Sequence, residues 1–386
     1  MPWKETDVVD LREEFVLRAL ADGLDFAGLC REYGVSAKTG YKWKQRFMED
    51  GLSGLRDRSR RPHSSPAQLG EREVCRLVAL KLAHRRWGPA KILELYRNAC
   101  SPAREVSLSS VKRVLGKAGL VQPRRRRRHD QCGRVQTDVV AQAPNDLWTV
   151  DFKGWWYSRD RRRVEPLTVR DACSRYILCA QALADSSTEA VRERFTRLFQ
   201  TYGLPGAIRS DNGPPFASMT SPRGLTRLSA WWVALGIDLD RITPGRPQEN
   251  GGHERMHRDM AMEVEGATAG DFSAQQAALE VWRREFNDER PHEALEMRVP
   301  SQVYRKSSRS YDQEAVELEY PVEYHRRRVG RSGCIRIDNC KINISVAVAG
   351  WDIGLKPTAS CQYAAWFGPL YLGQLDLESQ SFKAAR

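Results

Sequence analysis

Apolar positions recur three and four residues apart over roughly the first third of the chain, which reads as helices. Leu11, Phe15 and Ala19 fall at i, i+4 and i+8, one face of a first helix that Gly23 ends. A second helix covers DFAGLCREY with Asp25 as its N-cap, and Gly34 and Val35 form a short turn. Ser36 then caps a third helix, AKTGYKWKQRFM, in which Gly40, Trp43 and Phe47 share one face and Lys38, Tyr41, Lys42 and Gln45 lie elsewhere. Two short helices, a glycine turn and a basic third helix spell a helix-turn-helix over residues 1–50, with Lys38, Tyr41 and Lys42 as DNA-contacting candidates. The plainer alternative is a three-helix bundle with a charged face; the basic, aromatic-bearing last helix favours DNA.

Residues 51–66, rich in Gly, Ser, Arg and Pro, read as a linker. Helical periodicity returns over 68–84, over WGPAKILELYRN with Pro89 in its first turn, and over SLSSVKRVLGKAGL, capped by Ser107 or Ser109 and stopped at Gly119. That is a second helical module of similar design, 67–122. A basic linker, 123–140, follows, and its Arg124, Arg125, Arg126, Arg127 and Arg128 suit a solvated arm that displaces counterions from phosphates.

The period then drops to two. LWTVDFKGWWY, RRVEPLTVRDA and SRYILCAQAL read as three strands of an antiparallel meander. SSTEAVRERFTRLFQTYG is an amphipathic helix that buries Val191, Phe195, Leu198 and Phe199. GAIRSDNG and DLDRITPG are short strands around the helix LTRLSAWWVALG. GHERMHRDMAMEVEG, with Met256, Met260 and Val264 on one face, and FSAQQAALEVWRREFNDERP complete an α/β domain over 141–305. Ser307–Glu319 reads as a linker, and the short β-runs of 320–386, turning at Asp338–Asn339, as a small β-barrel.

Charge changes this picture from a fold to a partner. Of a net +13, residues 1–150 carry 29 basic against 18 acidic side chains, so the surplus sits on the helical modules and marks a polyanion partner. Nine scattered cysteines without a CxxC pair argue against structural zinc and a disulfide framework. The N-terminus is charged throughout and no apolar run approaches a membrane span, so a cytoplasmic, nucleoid-associated protein without membrane contact is expected.

Phosphoryl transfer on nucleic acid needs divalent metal on oxygen ligands. Asp151 directly follows an apolar strand, and Asp211 follows another before Asn212–Gly213; either alone could be a strand-end or turn residue. Glu254 lies in the first turn of a helix, where an anion is favoured, although a surface pair with Arg258 is the plain alternative. Asn250, His253, His257 and Arg258 are candidates to hold DNA beside it, with a purely structural role as the alternative.

Trp148-Thr149-Val150-Asp151, Asp211-Asn212-Gly213, Pro247-Gln248-Glu249-Asn250-Gly251 with Glu254, and the stretch Asn287–Leu295 occur in order. Together they resemble the catalytic core shared by retroviral integrases and bacterial insertion-sequence transposases, the DDE family. The resemblance covers about residues 140–300 and, more loosely, the helix-turn-helix and the β-rich tail. It implies a multidomain chain: all-α helix-turn-helix modules, a central α/β ribonuclease H-like core with a mixed sheet, and the small barrel. It implies a transposase that binds the terminal repeats of a mobile element and, as a polynucleotidyl transferase, cleaves and joins strands, integrating DNA. Asp151, Asp211 and Glu254 would be the catalytic, metal-binding triad; the cofactor Mg²⁺, with Mn²⁺ possible; the partners double-stranded DNA, both element ends and target, and further copies of the chain. The 42 residues between Asp211 and Glu254 exceed the family's usual spacing, and Ser221–Arg227 reads as a local insertion. Glu249, in the turn before Gly251–Gly252, is the alternative third carboxylate.

Overall fold

Polar caps set the helix starts of the first module. Asp25 accepts the Ala27 N–H at 3.0 Å and Ser36 that of Thr39 at 3.2 Å, each satisfying an end group that a helix leaves unbonded. The computed structural model describes residues 7–59 except 22 and 24, then 69–100, 105–121, 141–243, 246–267, 269–312 and 316–385. Arg124–Arg128 lie outside the described residues. The chain divides into two compact units, Met1–Leu69 and Gly70–Arg386.

In the first unit, α1 (Val8–Ala19), α2 (Phe26–Glu32) and α3 (Ala37–Asp50) bury Phe15, Val16, Leu29, Cys30 and Trp43. Gly40 lets α3 close on this core: a Cβ there would stand 2.8 Å from Cys30 Sγ and 2.9 Å from Phe15 Cζ. Leu11, expected inside, is exposed; the neighbouring Arg12 lies against α3 instead, its guanidinium 3.9 Å from the Trp43 ring centroid and its Nη1 donating to Leu55 O at 2.8 Å. Gly51–Leu55, at the head of the stretch read as a linker, form a 3-10 turn whose Leu55 is fully buried.

The second unit begins with α4 (Glu71–Ala83), α5 (Pro89–Cys100) and α6 (Leu108–Lys117), the last capped by Ser107. Leu77, Ile92, Leu93, Tyr96, Val111 and Leu115 form its interior. The turn between α4 and α5 is fixed by Lys81 Nζ, which donates to the carbonyls of Arg85 and Trp87. His84 Nδ1 reaches Glu285 at 2.9 Å, tying this module to the α/β core.

That core is a mixed sheet of β1 (Leu147–Phe152), β2 (Trp156–Tyr157), β3 (Arg163–Asp171), β4 (Ile177–Leu183), β5 (Ala207–Ser210) and β6 (Asp238–Arg241). β1 and β4 flank β3 antiparallel, β2 also pairs with β3, and β5 and β6 extend the sheet parallel to β1. Alternation sends Trp148, Val150, Leu167 and Val169 to one face, under α7 (Thr188–Tyr202) and α8 (Arg227–Ala234). The opposite face carries α9 (Gly251–Glu263) and α10 (Phe272–Arg284), where Met256, Met260, Val264, Leu279 and Trp282 meet Val164, Ile177 and Ala180. α10 runs on into a π-helical turn, Glu285–Glu289, at the motif that begins with Asn287. Asn287 accepts the Ile177 N–H at 2.8 Å and donates to the Ile177 carbonyl at 2.9 Å, while Arg290 donates to Asp259 on α9 at 2.6 Å. This stretch braces α9 against the sheet.

The tail holds β7 (His325–Arg328), β8 (Cys334–Ile337), β9 (Cys340–Asn343), β10 (Asp352–Ala359), β11 (Gln362–Phe367), β12 (Leu370–Asp376) and β13 (Ser381–Ala384). The expected barrel is not closed. The five-stranded sheet runs β13-β12-β11-β10-β7, and β8 and β9 pair with each other. A barrel needs every strand bonded on both sides, and a ribbon of two four-residue strands does not bridge the sheet's two edges. It covers the apolar face instead, through Ile335, Ile337 and Ile342. Leu225, Ala230 and Val233 of the core join the same cluster, and Arg223 N–H donates to Ala385 O, so the segment read as an insertion seats the tail. Residues 307–309 are strapped to the core: Arg309 donates to the carbonyls of Pro205, Leu235 and Gly236.

Candidate active site

Strand register brings the two candidate aspartates together. The parallel ladder of β1 and β5 matches Leu147 with Ala207, Trp148 with Ile208 and Thr149 with Arg209. Asp211 directly follows the last residue of β5, and its negative charge is felt by Asp151 on β1. Thr149 and Asp151 share the face that α9 covers, because side chains alternate along a strand.

A polar seam fixes α9 to that face. His253, in the first turn of α9, is fully buried, with Nδ1 2.8 Å from Thr149 Oγ1 and Nε2 2.6 Å from Thr168 Oγ1. His257, one turn on, has Nε2 2.7 Å from the same Thr168 hydroxyl. Arg170 donates to Gly252 O at 2.5 Å. These contacts hold the start of α9, the turn that carries Glu254, against β1 and β3. Thr168 is the β3 partner of Asp151 in the antiparallel register.

The charges report the same convergence. Burial pushes the Asp151 carboxyl up to about 7, helped by the negative charge of Asp211 and, less, of Glu254, against the Phe152 N–H. Partial burial also raises Asp211, opposed by the Gly213 N–H. Burial lowers both histidines, His257 to about 3, so both rings are neutral. Glu249 points elsewhere: Oε2 accepts the Thr243 N–H at 2.8 Å, which lowers its carboxyl, and its carbonyl accepts from Arg209. Asp171 is another buried carboxylate of the core, but both oxygens are taken, by Asn145 and Ser174 N–H groups at 2.7 Å each.

The other candidates divide. Asn250 is buried at the N-cap of α9 and His257 is buried beneath the helix, whereas Glu254 and Arg258 face solvent. Lys38, Tyr41 and Lys42 lie on the exposed side of α3; Tyr41 is 59% exposed and stacks on Phe26 at 4.2 Å. Thr168 and Arg170 had no place among the sequence candidates, and Thr149 and Arg290 stood in the motifs without a role of their own. A lone threonine inside each apolar run, LWTVDF and EPLTVRD, was the available signal.

A helix-turn-helix domain matches residues 11–63, a homeodomain-like domain 39–115, and integrase core domains 141–247 and 235–300. The chain is 28% identical over 259 residues to the insertion element IS407 uncharacterized 31.7 kDa protein of Burkholderia multivorans, covering 66% of this chain and 89% of that one. It is 28% identical over 254 residues to the insertion element IS476 uncharacterized 39.2 kDa protein of Xanthomonas euvesicatoria, covering 65% and 70%. The solved HTLV-2 integrase catalytic core domain in its trimeric form, 14% identical, covers 43% of this chain and 100% of its own at a TM-score of 0.34.

An integrase core behind helix-turn-helix domains defines a class of DNA-binding polynucleotidyl transferases that serve DNA transposition. Its integrase core domains and its insertion-element relatives support the particular reading of an insertion-sequence transposase with an integrase-like core. Among the described residues, no helix is long and apolar enough to cross a membrane.

Proposed function

We propose that Asp151, Asp211 and Glu254 are the metal-binding carboxylates of a DDE transposase that cleaves element ends and joins them to target DNA. The observation that carries this reading is the state of Asp151. Its carboxyl is held near 7 by burial and by two neighbouring carboxylates. Three converging anions are unstable alone and fit a site for divalent cations. The donor set is oxygen-rich and lies at the ends of two strands and one helix, rigid enough for Mg²⁺, with Mn²⁺ tolerated. Bound there, such cations supply Lewis-acid activation of water and then of a DNA 3′-hydroxyl, and neutralise the leaving oxygen.

The chain's own residues do the rest. Asp151 and Asp211 hold their positions through the sheet, and Glu254 through the histidine seam beneath it. Arg258, exposed one turn beyond Glu254, takes DNA phosphate. Asn250 and His257 act from inside, as positioning groups.

For the domains, we take 1–50 and 67–122 as the modules that read the terminal repeat, with Lys38, Tyr41 and Lys42 on base edges and Arg124–Arg128 on phosphates. Residues 141–305 do the chemistry and 320–386 assist, with copies of the chain assembling on DNA. The test is incubation with labelled terminal-repeat DNA, target plasmid and Mg²⁺. Joined product from the wild type, and neither nicking nor joining from Asp151→Asn or Asp211→Asn with repeat binding retained, is expected. Mg²⁺-dependent joining by either variant overturns the assignment.

A further inference from the structure

The hydrogen bonds beneath α9 leave one nitrogen with an unused lone pair beside Asp151. Thr168 Oγ1 has three partners: the Asp151 carbonyl at 2.9 Å, His253 Nε2 at 2.6 Å and His257 Nε2 at 2.7 Å. A hydroxyl has one proton and two lone pairs. The carbonyl can only accept, so it takes the proton. Both imidazoles must then donate Nε2–H to Thr168. Each neutral ring keeps its lone pair on Nδ1.

The two lone pairs differ in fate. His253 Nδ1 faces the Thr149 hydroxyl at 2.8 Å, much nearer than the Arg170 carbonyl that the same hydroxyl reaches at 3.4 Å, so both nitrogens of that ring are engaged. His257 Nδ1 has no hydrogen bond among the described residues and stands 3.8 Å from Asp151 Oδ2, too far for one. Two ligands bonded at about 2.1 Å to one ion stand about 3.0 Å apart at 90° and about 4.2 Å apart at 180°. The observed separation falls inside that range, and Asp151, His253 and His257 offer ligand atoms that all lie within 4.8 Å of one another.

We propose that His257 Nδ1 is a further protein ligand of the cation held by Asp151, making that half of the site mixed nitrogen and oxygen. The proposal rests on reading Asp151 as a metal ligand. Imidazole suits Mn²⁺ better than the harder, oxygen-preferring Mg²⁺. The seam is then both a clamp on α9 and a ligand relay: Thr168 fixes the tautomer that frees Nδ1, as partners of metal-bound histidines do.

The test uses the full chain, stripped of metal and titrated with Mn²⁺ alone, read by electron spin-echo modulation from directly bonded nitrogen and by calorimetry. Three proteins are compared: wild type, Asp151→Asn and His257→Gln, whose side-chain amide can keep the Thr168 bond while removing the Nδ1 lone pair. The expected result is nitrogen modulation in the wild type that His257→Gln abolishes, with Mn²⁺ affinity weakened roughly tenfold and Mg²⁺ affinity less. Mn²⁺ bound in an Asp151-dependent way without nitrogen modulation, or with modulation that survives His257→Gln, overturns the proposal and leaves the carboxylate reading standing. Absence of any Asp151-dependent binding overturns both. Should His257→Gln fail to fold, wild type labelled with ¹⁵N-histidine decides: the modulation changes with the isotope if an imidazole is bound and stays unchanged if none is.

Discussion

The basic face of α3 and the carboxylate cluster under α9 are both polar, and they are built in opposite ways. On α3, Lys38, Tyr41 and Lys42 project from a helix whose other side is buried, and each is exposed. Their one charged contact with the core among the described residues is that of Lys42 Nζ, 4.3 Å from the Trp43 ring centroid. Around Asp151, every polar group is held by another: Thr149, Thr168, Arg170, His253 and His257 form one seam between sheet and helix. Exposed charges act one by one, in water, and are screened by salt. Interlocked buried groups act together, and losing one strands its partners. Substitutions on α3 should therefore be graded, and those in the cluster close to all-or-none.

The largest contrast is within the cluster's own chemistry. Glu254→Gln keeps size but removes a charge, and strand joining should fall at least about a thousandfold. Glu249→Gln should fall far less, because that carboxylate is committed to the Thr243 N–H. Single-turnover joining assays on both variants check this; equal losses would erase the distinction between helix and turn.

Next comes the brace. Arg290→Ala strips Asp259 and Glu263 of their partner and should destabilise the second unit by about 3–5 kcal/mol. Denaturant unfolding measures it. A loss under ~1 kcal/mol would mean that the apolar face and the histidine seam hold α9 without this brace.

A smaller effect follows from the Asp151 carboxyl. Its folded value, about 7, lies above the ordinary 3.8. The folded state therefore binds more protons between these values, and the stability this group gives at low pH is lost as pH rises through about 7. In metal-free protein, Asp151→Asn should be more stable than wild type at pH 8 by on the order of 2 kcal/mol, with the gap closing toward pH 4. Added Mg²⁺ should raise the wild-type melting temperature at pH 8 and leave the variant's unchanged. Thermal scans at both pH values check the sign.

The smallest effects lie on α3. Lys38→Ala and Lys42→Ala should each weaken preference for the terminal repeat by about 1 kcal/mol, additively. Equal weakening on random DNA, in a salt titration, would move these lysines from base edges to phosphates.

The same contrast explains what could be read from the chain. Helical period alone placed Met256, Met260 and Val264 in the core and Gly40 and Trp43 at the centre of the first module. Asp151 and Asp211 stood out as carboxylates after apolar strands. The histidine seam could not be read, since His253 meets Thr149 and Thr168 across 104 and 85 residues of chain. Nor could Leu11, which Arg12 displaces by lying against Trp43. β7 and β13 escaped because edge strands that bury almost nothing lack an apolar alternation. The role of Asn287 and Arg290 needed the π-turn that aims them at β4 and α9.

The central claim is that Asp151, Asp211 and Glu254 act as one metal-binding unit. The most direct measurement is Mg²⁺-dependent joining of labelled terminal-repeat DNA by wild type, the three single variants and the triple variant Asp151→Asn/Asp211→Asn/Glu254→Gln, with repeat binding measured in parallel. The account predicts that each single variant loses as much joining as the triple, while all five proteins bind the repeat alike. Losses that multiply from single to triple, or a single variant that still joins, would contradict it.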